Sequence, residues 1–187
     1  MKVALIIGHK AESPGSVNAS TDVTEFEFNK CLVQFVSSIL NEKLKGTSLD
    51  GQLETEIVYR EIYKDLPAKV NALNPDFIVS FHANAFNASA SGTETLYYYK
   101  SSKGKSLALI MQNQMVNCLE LPNRGVKPKS SEERGGYLLC YTNAPCVICE
   151  PFFLDHDEDL ITVQAKLNKL ANAYANGIME YAISTLA

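Results

Sequence analysis

Two short apolar runs in this chain end in a histidine. Val3–Ile7 leads into Gly8-His9, and Phe77–Phe81, introduced by Asn74-Pro75-Asp76, leads into His82, Ala83 and Asn84. Each run is too short for a core helix and rich in β-branched or aromatic residues, which predicts a buried strand. Ligands of open α/β sheets sit outside the carboxyl ends of the strands, so two such strands can aim two imidazoles at one metal ion. Glu25 lies in a helical stretch opened by Thr24 and Glu27, a capping box that makes Thr24 the N-cap. Phe28, Leu32, Phe35, Val36 and Ile39 predict its buried stripe, and Glu27, Lys30, Gln34, Ser38 and Asn41 its solvated face. Glu25 precedes Phe28 by three residues and so points inward, where an unpaired carboxylate is costly and calls for a cation. Glu150 closes the apolar run Pro145–Cys149 and is followed by Pro151-Phe152-Phe153. Such surroundings push a carboxyl pKa upward, which suits proton transfer.

Two imidazoles and one carboxylate are the ligand set of a catalytic zinc, which keeps a fourth position for water. A further carboxylate off the metal can act as general base on that water. The spacing alone leaves another reading open: loop histidines satisfied by hydrogen bonds and two buried acids, with no H-E-x-x-H among them. His9-Lys10-Ala11-Glu12 also spells H-x-x-E, the pairing of zinc carboxypeptidases, in which Glu12 would replace Glu25 as ligand. Against this, Glu12 lies in Ala11–Ser16, before any helix that would hold it. Cys146-x-x-Cys149 falls on an expected strand, where residues three apart face opposite ways, so core packing is expected and not a redox pair. His156 sits among acids at the start of the last helix, and Gly104-Lys105-Ser106 lacks the earlier glycine of a phosphate loop.

The elements that must position these groups alternate between strand and helix. Strands are expected at Val3–Ile7, Glu54–Arg60, Phe77–Phe81, Thr93–Tyr99, Tyr137–Tyr141 and Cys146–Glu150. Helices are expected at Glu25–Lys45, near Pro67–Leu73, at Lys105–Leu119, and in one long span from about Asp157 to Ser184. In that last span Leu160, Val163, Leu167, Leu170, Tyr174, Ile178 and Tyr181 form a single packing stripe. Alternation of this kind predicts a single α/β domain with a twisted mixed, largely parallel sheet of about six strands, flanked by helices on both faces.

Composition narrows the partners. The chain has 187 residues, 46% of them apolar, and a net charge of −4, which gives no basic stripe for nucleic acid. No stretch is long enough to insert in a membrane, and five consecutive apolar residues after Met1-Lys2 are too few for a secretory leader. Synthesis in the cytoplasm without an address is therefore expected. The five cysteines are odd in number and scattered, and reduced thiols packed as small hydrophobes are expected. No separate domain, repeat or obligate protein partner is evident.

Read together, several segments resemble the zinc-dependent N-acetylmuramoyl-L-alanine amidases of the amidase-3 branch, found in cell-wall hydrolases and phage endolysins. They are Gly8-His9, Pro14-Gly15-Ser16, Glu25–Asn29, Ser80–Ala85, Gly92–Tyr98, Arg124–Lys127 and Ala144–Phe153, in order along almost the whole chain. The resemblance implies one catalytic Zn²⁺ on His9, Glu25 and His82, Glu150 as catalytic acid/base, and peptidoglycan as substrate. Asn84, Glu94 and Arg124 become candidate substrate-binding residues. Lys10 stands where many members carry glycine, and Leu154-Asp155-His156 replaces a commoner small-residue-plus-Asn turn. No cell-wall-binding module accompanies the domain, and an inactive wall-binding module would lack a ligand or the base. Release through a phage-made membrane lesion, or secretion with a leader since removed, would bring such an enzyme to the wall.

Overall fold

The computed structural model describes residues 1–186. One sheet of six strands runs through it in the order β2-β1-β3-β6-β4-β5. The strands are β1 (Lys2–Ile7), β2 (Glu54–Tyr59), β3 (Phe77–Phe81), β4 (Thr93–Tyr98), β5 (Asn123–Lys129) and β6 (Cys146–Glu150). All neighbours are parallel except β4 and β6, which pair antiparallel with Glu94 opposite Glu150. The central strands β1, β3 and β6 are buried on both faces, which is why they read as unbroken apolar runs.

Helices cover both faces. One face carries α1 (Glu25–Leu44), α3 (Ser102–Leu119), α5 (Asp157–Ala165) and α6 (Leu167–Leu186) over a core that includes Leu5, Val79, Cys149 and Tyr174. The other carries a short 3-10 turn (Tyr63–Asp65), α2 (Leu66–Ala72) and α4 (Gly136–Tyr141) over Ile6, Ile78, Leu96, Cys146 and Ile148. Alternation along β6 thus sends Cys146, Ile148 and Glu150 toward the α2/α4 side.

Several expectations are corrected. Tyr137–Tyr141 is helical, not a strand: a five-residue apolar run carries no decisive period, and Leu138 and Leu139, adjacent in sequence, are both buried. The sixth strand is instead Asn123–Lys129, whose Gly125 and Pro128 are tolerated because it lies at the sheet edge. The last helix is broken at Lys166, whose ammonium turns away to donate to the Leu119 carbonyl at the end of α3 (2.9 Å). In α1 the buried stripe advances by fours through Phe28, Leu32, Val36, Leu40 and Leu44, with Val33 beside it. Those steps drift around the helix, so Phe35 is left exposed. The five cysteines are free thiols as expected, but Cys31 is exposed and not packed.

Candidate functional site

The C-terminal rim of the central strands carries the reactive groups. β1 ends into Gly8, whose N–H donates to the Phe81 carbonyl (2.9 Å). A Cβ at Gly8 would lie 2.4 Å from that oxygen and 2.8 Å from the His82 ring, so no larger residue fits between the two strand ends. His9 follows with φ +65°, a conformation that costs a non-glycine residue about 1–2 kcal/mol and that turns its ring back over the rim. On β3 the next residue after Phe81 is His82, held by its N–H to the Cys149 carbonyl (3.0 Å). Glu150 is therefore level with His82 on the adjacent strand.

Glu25 arrives from the opposite direction, as the first residue of α1. Thr24 caps the helix, its hydroxyl accepting from the Glu27 N–H (3.2 Å), and the incoming loop is pinned where the Ser16 carbonyl accepts from the Glu25 N–H (2.9 Å). The Glu25 side chain is fully buried. Its Oε1 lies 2.9 Å from His82 Nδ1 and accepts from the Ala83 N–H (3.1 Å). Its Oε2 lies 3.2 Å from His9 Nε2 and accepts from the N–H and hydroxyl of Ser16 (3.1 and 3.0 Å). Burial opposes the charge on Glu25, but the two histidines outweigh it and hold the carboxyl well below the usual range. Gly15 is required for this arrangement. Its φ is +81°, and a Cβ there would sit 2.6 Å from Glu25 Oε2 and 2.7 Å from the His9 ring.

One ligand atom from each of His9, Glu25 and His82 lies within 4.8 Å of the other two, so the group can hold a metal ion. The donor set suits one: two imidazoles about a fifth exposed, and a carboxylate fixed behind them by backbone N–H groups. His9, His82 and Glu150 line one cavity of about 400 Å³ on the α2/α4 face. Burial pushes the Glu150 carboxyl up to about 8; Arg134 and Lys129 oppose that shift, and Glu25 and Glu94 reinforce it. Its Oε2 is buried with no hydrogen-bond partner, an acceptor left over for something inside the cavity.

Asn84, Glu94 and Arg124 are also brought together. Asn84 Nδ2 donates to Glu94 Oε1 and Arg124 Nε to Glu94 Oε2, both at 2.9 Å, and the Arg124 guanidinium covers the Phe153 ring. Glu94 is the cross-strand partner of Glu150, so this chain of bonds ends beside it, but none of the three residues lines the cavity. Glu12 stands apart, an exposed residue 3.9 Å from Lys10, which removes the H-x-x-E reading. His156 precedes α5 and pairs with the buried Asp159 (3.0 Å), away from the cavity. Cys146 and Cys149 face opposite cores, and Gly104-Lys105-Ser106 lies in the first turns of α3.

Sequence reasoning missed four further residues that line the cavity, Arg60, Tyr63, Arg134 and Tyr137. A signal for Arg60 was available, since it follows a parallel strand, in register with His9's own, at the same rim.

Fold and site together define a hydrolase with a three-residue group able to hold a metal ion. The chain belongs to the Amidase_3 family, described as N-acetylmuramoyl-L-alanine amidase, whose model matches residues 3–180. It is 31% identical over 178 residues to the uncharacterized protein YqiI of Bacillus subtilis (strain 168), covering 93% of this chain and 81% of that one. It is 26% identical over 182 residues to N-acetylmuramoyl-L-alanine amidase LytC of the same organism, covering 93% of this chain and 34% of LytC. The catalytic domain of the amidase CwlV from Bacillus (Paenibacillus) polymyxa var. colistinus superposes with a TM-score of 0.79 at 26% identity, with 97% of each chain covered. The chain is thus an amidase acting on peptidoglycan, at the bond between the muramoyl lactyl group and L-alanine. Among the described residues, no helix is long and apolar enough to cross a membrane.

Proposed function

We propose that His9, Glu25 and His82 hold one catalytic Zn²⁺ and that Glu150 is the general acid/base of the amide hydrolysis. The convergence of the first three side chains within 4.8 Å, with His9 and His82 lining the same cavity as Glu150, carries this reading. When bound, the ion supplies Lewis acidity toward the substrate carbonyl and lowers the pKa of a water at the site. Glu25, its two oxygens fixed by Ser16 and Ala83, orients both imidazoles and contributes the single negative charge of the ligand set. Glu150 accepts the proton of the attacking water at its free Oε2. It then delivers that proton to the L-alanine nitrogen as the amide C–N bond breaks. Its burial suits both halves of the cycle, because a carboxyl titrating near neutrality can take a proton and release it. Asn84, Glu94 and Arg124, bonded to one another through Glu94 on the strand next to Glu150 and outside the cavity lining, are the residues we propose to meet parts of the substrate that extend beyond it.

The test is hydrolysis of purified sacculi, read as newly exposed N-terminal L-alanine, together with zinc content. Glu150→Gln should keep stoichiometric zinc and lose a factor on the order of 10²–10⁴ in rate. Near-normal turnover would remove Glu150 from its role. We further propose that the enzyme reaches the wall from outside the membrane, in phage lysis or wall turnover. A neighbouring gene for a small hydrophobic holin would mark the first setting.

A further inference from the structure

The cavity that holds His9, His82 and Glu150 also carries two arginines, Arg60 and Arg134; the charge of Arg134 acts on Glu150, whereas Arg60 has no acid to answer it. Arg60 follows β2, and the register of Tyr59 with Ile7 sets it level with Gly8, one strand from His9. Its guanidinium lies over the Tyr63 ring (5.0 Å), and Tyr63 in turn touches Tyr137 (5.7 Å between ring centres). The Nε of Arg60 is buried with no hydrogen-bond partner. Among the described residues neither Arg60 nor Arg134 forms an ion pair. The neighbouring acids are already engaged. Glu61 is bound to Lys69 (2.7 Å), Glu133 accepts from the N–H and hydroxyl of Ser130, and Glu132 accepts from the Ser131 hydroxyl.

A half-buried, aromatic-backed guanidinium with an orphaned N–H is a receptor for a planar anion, and carboxylate is the best fit to its fork. On this substrate the muramoyl side of the scissile bond is uncharged, because its lactyl carboxyl is tied up in the amide. The peptide side carries the free carboxylates. The nearest belongs to the second residue, a glutamate joined through its side chain, whose α-carboxyl is free in some walls and amidated in others.

We propose that Arg60 is a specificity-determining residue. It receives that α-carboxylate on the leaving side of the amide, with Arg134 adding positive charge and Tyr63 and Tyr137 flanking the peptide. The enzyme then favours stem peptides whose second residue is unamidated. This rests on the reading of His9, Glu25, His82 and Glu150 as the reacting centre, since it assigns another part of the same cavity.

Two soluble substrates test it: N-acetylmuramoyl-L-alanyl-γ-D-glutamyl-L-lysine, in which the glutamate α-carboxylate is free and its side chain is tied up in the next amide, and the same compound as its glutamate α-carboxamide. The zinc-loaded wild-type chain should show a KM for the acid roughly 10–100-fold below that for the amide, the range of a charge-assisted hydrogen bond, with similar kcat. Arg60→Gln should raise the KM for the acid to that of the amide without lowering kcat, and Arg60→Lys should recover part of the difference. Equal KM values for the two substrates in the wild-type chain would overturn the proposal. So would an Arg60→Gln variant that raises both KM values alike. The wild-type comparison stands even if a variant folds poorly. Efficient cleavage of both substrates without discrimination defeats this assignment alone, whereas cleavage of neither defeats the reading of the reacting centre and the assignment with it.

Discussion

Replacing Glu150 by Gln separates what this carboxyl does for the reaction from what it does to the fold. Burial carries the group from 4.5 to about 8, and Oε2 has no donor to stabilise its charge. Below both values the carboxyl is protonated in the folded and unfolded chains, and its ionisation contributes nothing to stability. As pH rises past 4.5 the unfolded chain releases the proton while the folded chain keeps it. The folded state then binds more protons, and stability falls with rising pH until about 8. At about 1.36 kcal/mol per pH unit, the whole interval is worth on the order of 5 kcal/mol. Glutamine has nearly the same shape and cannot ionise, so it escapes this loss, apart from about 1 kcal/mol of altered hydrogen bonding. Denaturant unfolding of EDTA-treated protein should therefore show the two chains nearly equal at pH 4.5. At pH 8.5 Glu150→Gln should be more stable by several kcal/mol, although it is the inactive chain. EDTA matters because a bound cation would favour the ionised form. A stability difference independent of pH, or a Gln variant less stable at pH 8.5, would refute the account of Glu150 as a desolvated, unpaired carboxyl.

Further outcomes follow from the same geometry. Glu25→Ala should abolish zinc binding in equilibrium dialysis, whereas Glu12→Ala should leave it intact, since Glu12 is exposed and outside the cluster. Gly15→Ala forces a methyl into the space between Glu25 and His9 at a left-handed φ. Zinc affinity should fall by at least ~10-fold, the scale of losing a group that orients a ligand, as read by competition with a chromogenic chelator. In the native protein Cys31 should react with a thiol reagent in preference to Cys146 and Cys149, whose thiols are buried and pushed up, that of Cys146 to about 12. Reaction of all five at one rate would contradict that burial.

Much of this site was legible before any coordinates. Glu25 could be told from Glu27 because helical periodicity places them on different faces, and the fold buries one and exposes the other. The helical Tyr137–Tyr141 was misread, since five apolar residues satisfy either period, and β5 was missed, since an edge strand need not be apolar.

What the sequence determined by itself is local: which runs are strands buried on both faces, where α1 starts, and which side chains stand at the carboxyl ends of β1, β3 and β6. Those follow from propensity, capping and alternation, which act over a few residues. Only the tertiary structure decided which of those side chains meet. Parallel register set His82 beside Glu150, the loop through Gly15 and Ser16 brought Glu25 between two imidazoles, and α2 with α4 closed a cavity in which Arg60 is left without a counter-charge. The physical reason is that such contacts join residues far apart in the chain, where strand order and packing fix the distances and no local pattern records them.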